Sequence, residues 1–342
     1  MSVLAIGPFD LSIYVSLALL FGIAAQFRAM DGYSFLRSVL SHVEPRVGLL
    51  YAVSLVTLVV SPFILNDVLV LILTPALIRY AKQYGLDPVP LIVAEVTFTN
   101  IASSLTPIGN PQNIILWASS GIGFHAFVGG TWELVLASAA VAAVALAPLA
   151  WRLGGPRDAT TKLKSAAPAA YLLFVTAAVL AAEVFHLPDY ASLGVGFLGG
   201  FAVNRRALGS VKREFDVRSV LMLYGFITAI AVVAYLVAPE IAAYVAPAAA
   251  GKEPYSWAFV GMMSSLIGNV PVTQLLVSTS GVTAAAAPKI AVEAGLAGNL
   301  GPAASFANLL ALQMAAREGV PLRKAVALQV IIGLIAYLPA LL

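Results

Sequence analysis

The sequence predicts an all-α polytopic membrane protein, and three observations carry that prediction. Hydrophobic residues make up 61% of the 342 residues and charged residues only 10%, against about a quarter charged in an ordinary soluble domain. The mean hydropathy is +0.94. The apolar stretches are continuous runs of Leu, Ala, Val and Ile, roughly 17–25 residues long, which suits helices that cross a bilayer. Barrel strands would instead alternate apolar and polar residues over about ten positions.

The elements follow from where the basic residues fall. Five clusters punctuate the chain: Arg28, Arg37 and Arg46; Arg79 and Lys82; Arg152, Arg157, Lys162 and Lys164; Arg205, Arg206, Lys212, Arg213 and Arg218; Arg317, Arg323 and Lys324. The positive-inside rule assigns all five to the cytoplasm. Residues 11–27 then run inward. Residues 46–82 leave and return to the same side, with Asn66 and Asp67 at the middle beside Pro62, and form a re-entrant hairpin. Residues 89–117 go outward and 131–151 return. The pair 167–185 and 189–204 goes out and back, and 219–238 goes out. Residues 255–286 turn at Gly268, Asn269, Val270 and Pro271 as a second re-entrant hairpin, entered from outside. Residues 289–316 go inward and 325–342 outward.

This path amounts to about eight transmembrane helices, two hairpins and two broken helices, arranged as an inverted repeat. Residues 1–151 form the first repeat, 152–218 a linker with a helix pair, and 219–342 the second repeat. Both termini are expected outside, and the protein is expected in the cytoplasmic (inner) membrane. No cleavable signal peptide is expected, because the N-terminus lacks a basic segment. In inverted-repeat transporters the substrate lies near the midplane, at broken helices.

Asparagine placement carries the chemistry. Of eight asparagines, Asn66, Asn100, Asn110, Asn113, Asn269, Asn299 and Asn308 lie in apolar stretches, and only Asn204 in a basic loop. A side-chain amide in hydrocarbon is costly unless paired. Helix-to-helix hydrogen bonding would explain any one of them, but the group clusters at helix breaks. The first break is TNIASSLTPIGNPQNIIL, residues 99–116, where Pro107, Gly109 and Pro111 cannot continue one regular helix. Asn110 before Pro111 has the form of a helix N-cap. The second is GNLGPAASFAN, residues 298–308. Matching Asn299 to Asn100 and Asn308 to Asn113 sets Ser305 opposite Asn110 and makes the second loop about four residues shorter. The hairpin tips LNDVLVLILTP (65–75) and LIGNVPVTQLL (266–276) correspond likewise, with Val270 opposite Asp67.

The loop carbonyls and amides freed at these breaks need partners, which a bound ion or substrate would supply. Two hairpin-helix N-termini offer their positive ends to an anion. No Lys or Arg lies deep in a span. The candidate binding residues are therefore Asn66, Asp67, Asn100, Thr106, Gly109, Asn110, Asn113, Asn269, Thr273, Asn299, Gly301, Ser305 and Asn308. A Na⁺ position is expected near Asn66, Asn110 and Asn269. Asp67 and Glu95 are the candidate coupling acids. Asp67 has the alternative role of capping residues 68–81, and Glu95 that of a neutral, hydrogen-bonded core acid.

Other classes fit less well. The absence of cysteine removes disulfides, Fe–S clusters and thiolate zinc. The three histidines, His42, His125 and His186, are far apart, which argues against a metal site. The net charge of +3 calls for no nucleic-acid partner. An intramembrane protease would need a facing Asp pair, a Ser–His pair or an H-E-x-x-H helix, so no catalytic residue is expected.

The ND tip followed by TP, then TN…TPIGNPQN, GNVP and GNLGP…S, resembles the ion transporter superfamily. Its members include arsenite permeases, D-type sodium/proton antiporters, citrate/metal transporters and dicarboxylate/sodium symporters. The resemblance covers roughly residues 45–117 and 219–342. The Asn-Asp tip looks more like arsenite permeases than dicarboxylate symporters. The resemblance implies a secondary active transporter of a small inorganic anion or oxyacid, coupled to H⁺ or Na⁺. It also implies a homodimer with an elevator-like moving domain. The alternative within transport is a cation/proton antiporter.

Overall fold

The computed structural model describes residues 5–6, 9–153, 165–185, 187–203, 207–215 and 217–341. A two-residue antiparallel ladder, β1 (Ala5–Ile6) with β2 (Phe9–Asp10), precedes a fold that is otherwise helical. The helices are α1 (Leu11–Ala29), α2 (Gly32–Val47), α3 (Leu49–Val60), α4 (Asn66–Tyr84), α5 (Pro88–Ala102), α6 (Pro111–Ser120), α7 (Phe124–Leu153) and α8 (Ala167–Val184). They continue as α9 (Asp189–Val203), α10 (Ala207–Glu214), α11 (Val217–Ala249), α12 (Tyr255–Ile267), α13 (Asn269–Ser280), α14 (Ala287–Ala297), α15 (Phe306–Arg317) and α16 (Leu322–Tyr337). Arg157, Lys162, Lys164, His186, Asn204, Arg205 and Arg206, with the whole of residues 154–164, lie outside the described residues.

Composition and burial divide the helices into two kinds. Among the described residues, three stretches are long and apolar enough to cross a membrane: Pro88–Leu105, Phe124–Leu153 and Leu322–Leu341. Phe124–Leu153 is only 28% buried and Leu322–Leu341 33%, so their apolar side chains face outward, as toward lipid. Trp132, Leu136, Val144 and Trp151 of α7 are among them. Pro88–Leu105 is 89% buried, so its neighbours are protein. Helix α14 is enclosed in the same way, with every residue but Lys289 buried. The two interrupted helices thus form the centre, packed among α4, α7, α12 and α16.

Three of the four hairpin arms are short, while the 19 residues of α4 reach about 28 Å. At about 1.5 Å per residue, the 12 residues of α3, the 13 of α12 and the 12 of α13 reach about 18–20 Å. A hydrocarbon core is about 30 Å thick. Between α3 and α4 the chain turns through a 3₁₀ turn, Ser61–Phe63, with Pro62 inside it. Between α12 and α13 it turns at Gly268, whose φ of 94° and ψ of 154° a side chain would strain.

Ion pairs gather one end of the molecule. Lys82 pairs with Glu318, Lys324 with Asp87, and Arg28 with Glu214. Tyr80 donates to Glu44, joining α2 to α4. Members of three of the five basic clusters, Arg28, Lys82 and Lys324, are thus engaged at this end. The hydrogen bond and charge from Lys82 hold the Glu318 carboxyl below its ordinary range. At the other end Lys289 pairs with Glu253, and Gly130 of α7 abuts Pro288.

One helix is additional to the expected path, and one boundary differs from it. Residues 32–47, between the first expected span and the first hairpin, form a helix: Asp31 accepts from Ser34 N at 3.3 Å and starts α2. Helix α11 continues through Pro239 to Ala249 instead of ending near 238. The prolines there did not stop it.

Candidate functional site

The interruption in the first broken helix begins where α5 tightens into a 3₁₀ turn, Ser103–Leu105. It ends where Asn110 caps α6, its Oδ1 accepting from Gln112 N with Pro111 in the first turn. The expected cap is therefore present. The hairpin tip is bound twice to this loop and once to the end of α5. Asn66 N donates to Gly109 O at 2.9 Å, Ser61 Oγ donates to Thr99 O at 3.1 Å, and Thr106 Oγ1 donates to Pro62 O.

The second half repeats the arrangement. Asn269 N donates to Ala304 O at 2.9 Å, as Asn66 N does to Gly109 O. Asn66 Oδ1 accepts from Asp67 N and Asn269 Oδ1 from Val270 N, both at 2.8 Å. Asn113 Nδ2 donates to Ser103 O and Thr106 O at 2.9 and 2.8 Å. Asn308 Nδ2 likewise donates to Gly298 O and Gly301 O. Ser305 and Asn110 occupy the same extended backbone region before α15 and α6.

These contacts set the register between the halves. The pairs Ser103/Gly298, Thr106/Gly301, Gly109/Ala304, Asn110/Ser305 and Asn113/Asn308 keep one constant offset, so the two loops are equal in length. The expectation of a second loop four residues shorter is corrected. Asn100 stands opposite Gly295, and Asn299 opposite Ser104. Matching Asn100 to Asn299 paired residue types, whereas the backbone is set by the clasp from Asn113 and Asn308.

Asn100 and Asn299 meet directly instead. Asn100 Nδ2 donates to Asn299 Oδ1 and Asn308 Oδ1, each at 2.9 Å, and Asn299 Nδ2 donates to Thr97 O at 3.3 Å. All three amides are fully buried. Gly295 makes the approach feasible: a Cβ there would lie 1.7 Å from Ser104 Oγ and 2.9 Å from Asn100 O. The two interrupted helices thus cross at a shared amide cluster.

Several freed backbone carbonyls are satisfied within the chain by Asn113, Asn308 and the hairpin-tip amides, so these do not wait for a ligand. Several buried side-chain atoms of the described residues remain unpaired. Asn100 Oδ1, Asn113 Oδ1, Gln112 Oε1, Thr97 Oγ1 and Thr99 Oγ1 lie along the first break. Asn269 Nδ2, Thr273 Oγ1 and Ser305 Oγ lie at the second tip and break. A buried unpaired polar atom costs about 1–3 kcal/mol, so both groups are positions a polar ligand would satisfy. A cavity of about 120 Å³ adjoins the second tip, lined by Met222, Ile267, Gly268, Asn269, Val270 and Phe306. The first tip is tethered more fully than the second.

The acids are placed as follows. Asp67 is buried in the first turn of α4, where a negative charge faces the positive end of the helix. It is not the cap: α4 begins at Asn66, and Asn66 supplies the side-chain acceptor there. Glu95 accepts from Thr74 Oγ1 at 2.8 Å, joining α5 to α4 rather than meeting Thr99 or Asn100. Its second oxygen has no partner. Sequence reasoning missed Glu293, buried on α14 and hydrogen-bonded by Ser256 of α12. The signal was present: an acid inside the apolar run AVEAGLA, as Glu95 is inside its own. It also missed Gln112, whose Nε2 donates to Ala291 O at 3.1 Å and ties α6 to α14.

Outward-facing apolar helices around a buried pair of interrupted ones define an integral membrane protein of the transporter class. The chain belongs to the citrate transporter family, CitMHS, of the ion transporter superfamily, whose profile matches residues 2–316. The rice silicon efflux transporter LSI3 is 34% identical over 104 residues, which are 30% of this chain and 21% of that protein. The inner membrane protein YbiR of Escherichia coli is 41% identical over 68 residues, 20% and 18% of the two chains. An uncharacterized transporter of Mycobacterium tuberculosis is 26% identical over 303 residues, 78% and 69% of the two. The match thus spans about a fifth of the rice and E. coli proteins and about two thirds of the mycobacterial one. The family and the three relatives named here are called after transport or the membrane.

Proposed function

We propose that this protein is a secondary active transporter of a small inorganic anion or oxyacid, arsenite-permease-like, driven by H⁺ or Na⁺. The single observation that carries this reading is the repeated hydrogen-bond set. Each hairpin tip donates one backbone amide to its own interrupted loop, and each loop is clasped by one asparagine. The short arms α3, α12 and α13 support re-entry from opposite faces, and the shared register supports an inverted repeat of residues 1–151 and 219–342 around a linker at 152–218. In this reading both termini lie outside the inner membrane, Na⁺ sits near Asn66, Asn110 and Asn269, and a homodimer carries an elevator-type moving domain. With no Lys or Arg at the tips, the ligand is held by Asn66, Asn110, Asn269, Thr273, Ser305 and backbone amides. The rice relative's name, a silicon efflux transporter, supports an oxyacid.

The second reading is a cation/proton antiporter. It is favoured by the buried carboxyl of Asp67 at the first tip, which suits a cation better than an anion.

Thermal unfolding of the purified protein with citrate, arsenite, phosphate, silicic acid or Na⁺ tests the choice. A ligand at a hundred times its Kd adds about 2.7 kcal/mol to the native state. A shift with an anion or oxyacid, larger when Na⁺ or low pH accompanies it, is the expected result. A shift with Na⁺ alone and with none of the anions overturns the first reading in favour of the second.

A further inference from the structure

Two carboxyls are fully buried in the interrupted helices, and they approach the centre from opposite ends. Helix α5 starts at the end where Asp87 pairs with Lys324, and Glu95 lies about 12 Å along it. Helix α14 starts at the other end, where Lys289 pairs with Glu253, and Glu293 lies about 9 Å along it. Each acid stops about 7 Å short of the amide cluster at Asn100 and Gly298. Each accepts one hydrogen bond from a hydroxyl on its own hairpin, Thr74 for Glu95 and Ser256 for Glu293. Each keeps its other oxygen, Oε1, without a partner. The constant register sets Glu95 opposite Ile290, not opposite Glu293. The two acids are therefore separate placements that reach the same arrangement, and a repeated backbone does not account for them.

Among the described residues no cation forms an ion pair with Glu293, and the charge of Lys289 reaches it only through space. Lys289, one turn earlier on α14, is engaged by Glu253 and Gly251 O. Helix α12 presents Ser256. Helix α16 presents Tyr337, whose hydroxyl is spent on Trp257 O at 2.9 Å, and its Arg323 and Lys324 are exposed at the far end. Helices α6 and α13 carry no ionisable side chain. On α7, His125 and Glu133 are exposed, and on α5 the ionisable group is Glu95. A buried carboxyl with one hydroxyl donor and one bare oxygen is stable with a proton on that bare oxygen. It becomes stable without one when water or a substituted hydrogen bond reaches it.

We propose that Glu293, held by Ser256, is a proton-binding site of the transport cycle on the face opposite that served by Glu95. This rests on the transport reading and specifies H⁺ as a coupling ion. Water reaching Oε1 accepts its proton, leaving a carboxylate that Ser256 Oγ–H still donates to. Rebinding reverses the step, and no other bond changes. Because Ser256 lies on the hairpin arm and Glu293 on the interrupted helix, separating α12 from α14 removes the donor and favours the protonated form.

The test uses the full chain in liposomes and needs no substrate in its first arm. Infrared difference spectra across a pH titration are expected to show a carboxylic acid C=O band that converts to carboxylate in wild type and is missing in Glu293→Gln. Ser256→Ala is expected to move its midpoint upward, because the donor that favours the carboxylate is gone. In the second arm, citrate and arsenite are the probes. Glu293→Gln is expected to lose pH-driven accumulation at least tenfold while keeping exchange at equal pH. A band that never titrates, a midpoint unmoved by Ser256→Ala, or undiminished pH-driven accumulation in Glu293→Gln overturns the proposal. Failure of both probes to move in wild type counts against the transport reading, and the infrared arm still decides the titration. Should Glu293→Gln fail to fold, the Ser256→Ala midpoint decides.

Discussion

Gly109→Ala adds one carbon at the tightest backbone approach of the first break. The new Cβ would lie 2.3 Å from Ser103 O, 2.9 Å from Ser103 Cα and 3.0 Å from Ser103 C. An ordinary contact begins at 3.4 Å, so loop or turn must move by about 1 Å. Ser103 O already accepts from Asn113 and Gly109 O from Asn66, so movement on either side strains one of these bonds. Overpacking costs about 1–3 kcal/mol, and each weakened hydrogen bond adds up to about 1 kcal/mol. The expected loss is about 3 kcal/mol, roughly a hundredfold in the folded-to-unfolded ratio. Gly301→Ala is the control, because its Cβ would meet nothing nearer than Ser265 O at 3.5 Å. Unfolding of both variants in mixed micelles, with transport assayed in liposomes, compares them. Equal stability of the two variants, with transport intact in Gly109→Ala, refutes the argument that this contact sets the loop.

Four further outcomes are expected. Asn100→Ala leaves Asn299 Oδ1 and Asn308 Oδ1 without their donor and should destabilise by about 2–5 kcal/mol, measured in the same unfolding assay; a neutral effect would mean the amide cluster is solvated. Asp67→Asn keeps the shape and should bind substrate but lose gradient-driven uptake in liposomes; uptake that persists there and fails in Glu95→Gln assigns coupling to Glu95. A cysteine at Arg79 should react with impermeant reagents only from the cytoplasm, and one at Gly123 only from outside; exterior labelling at Arg79 would sink re-entry of residues 46–82. Glu318 has a carboxyl held low by Lys82, so its contribution is present above the ordinary carboxylate range and is lost as pH falls through the lowered value. The stability difference between wild type and Glu318→Gln should be small, as both side chains are half exposed, and should vanish in acid; a difference that grows in acid would contradict the sign.

Much of this was legible because lipid punishes exposed polarity. Basic residues marked the helix ends, and α3, α4, α7, α12 and α13 begin or end within a few residues of expectation. Asn110–Pro111 was readable as a cap because the local chemistry is complete within two residues. The register between the breaks was not, because it depends on carbonyls: Asn113 and Asn308 grip Ser103, Thr106, Gly298 and Gly301, and any residue type offers a carbonyl. The contact of Asn100 with Asn299 was hidden for the same reason, since Gly295 makes room for it and a glycine carries no signal of what lies against it. Glu293 stands one turn beyond Lys289 on α14, inside the buried part of the helix.

The amide cluster also sets a clock on biosynthesis. The donor at Asn100 and its acceptor on Asn308 are 208 residues apart. At about 5–20 residues per second, a ribosome takes roughly 10–40 s to make the intervening chain. Through that interval the first half sits in the membrane with a naked amide and an unfilled groove at its centre. Newly made chains paused before residue 299 should therefore be the form that quality-control proteases recognise, and a separately expressed second half should rescue the first by closing it.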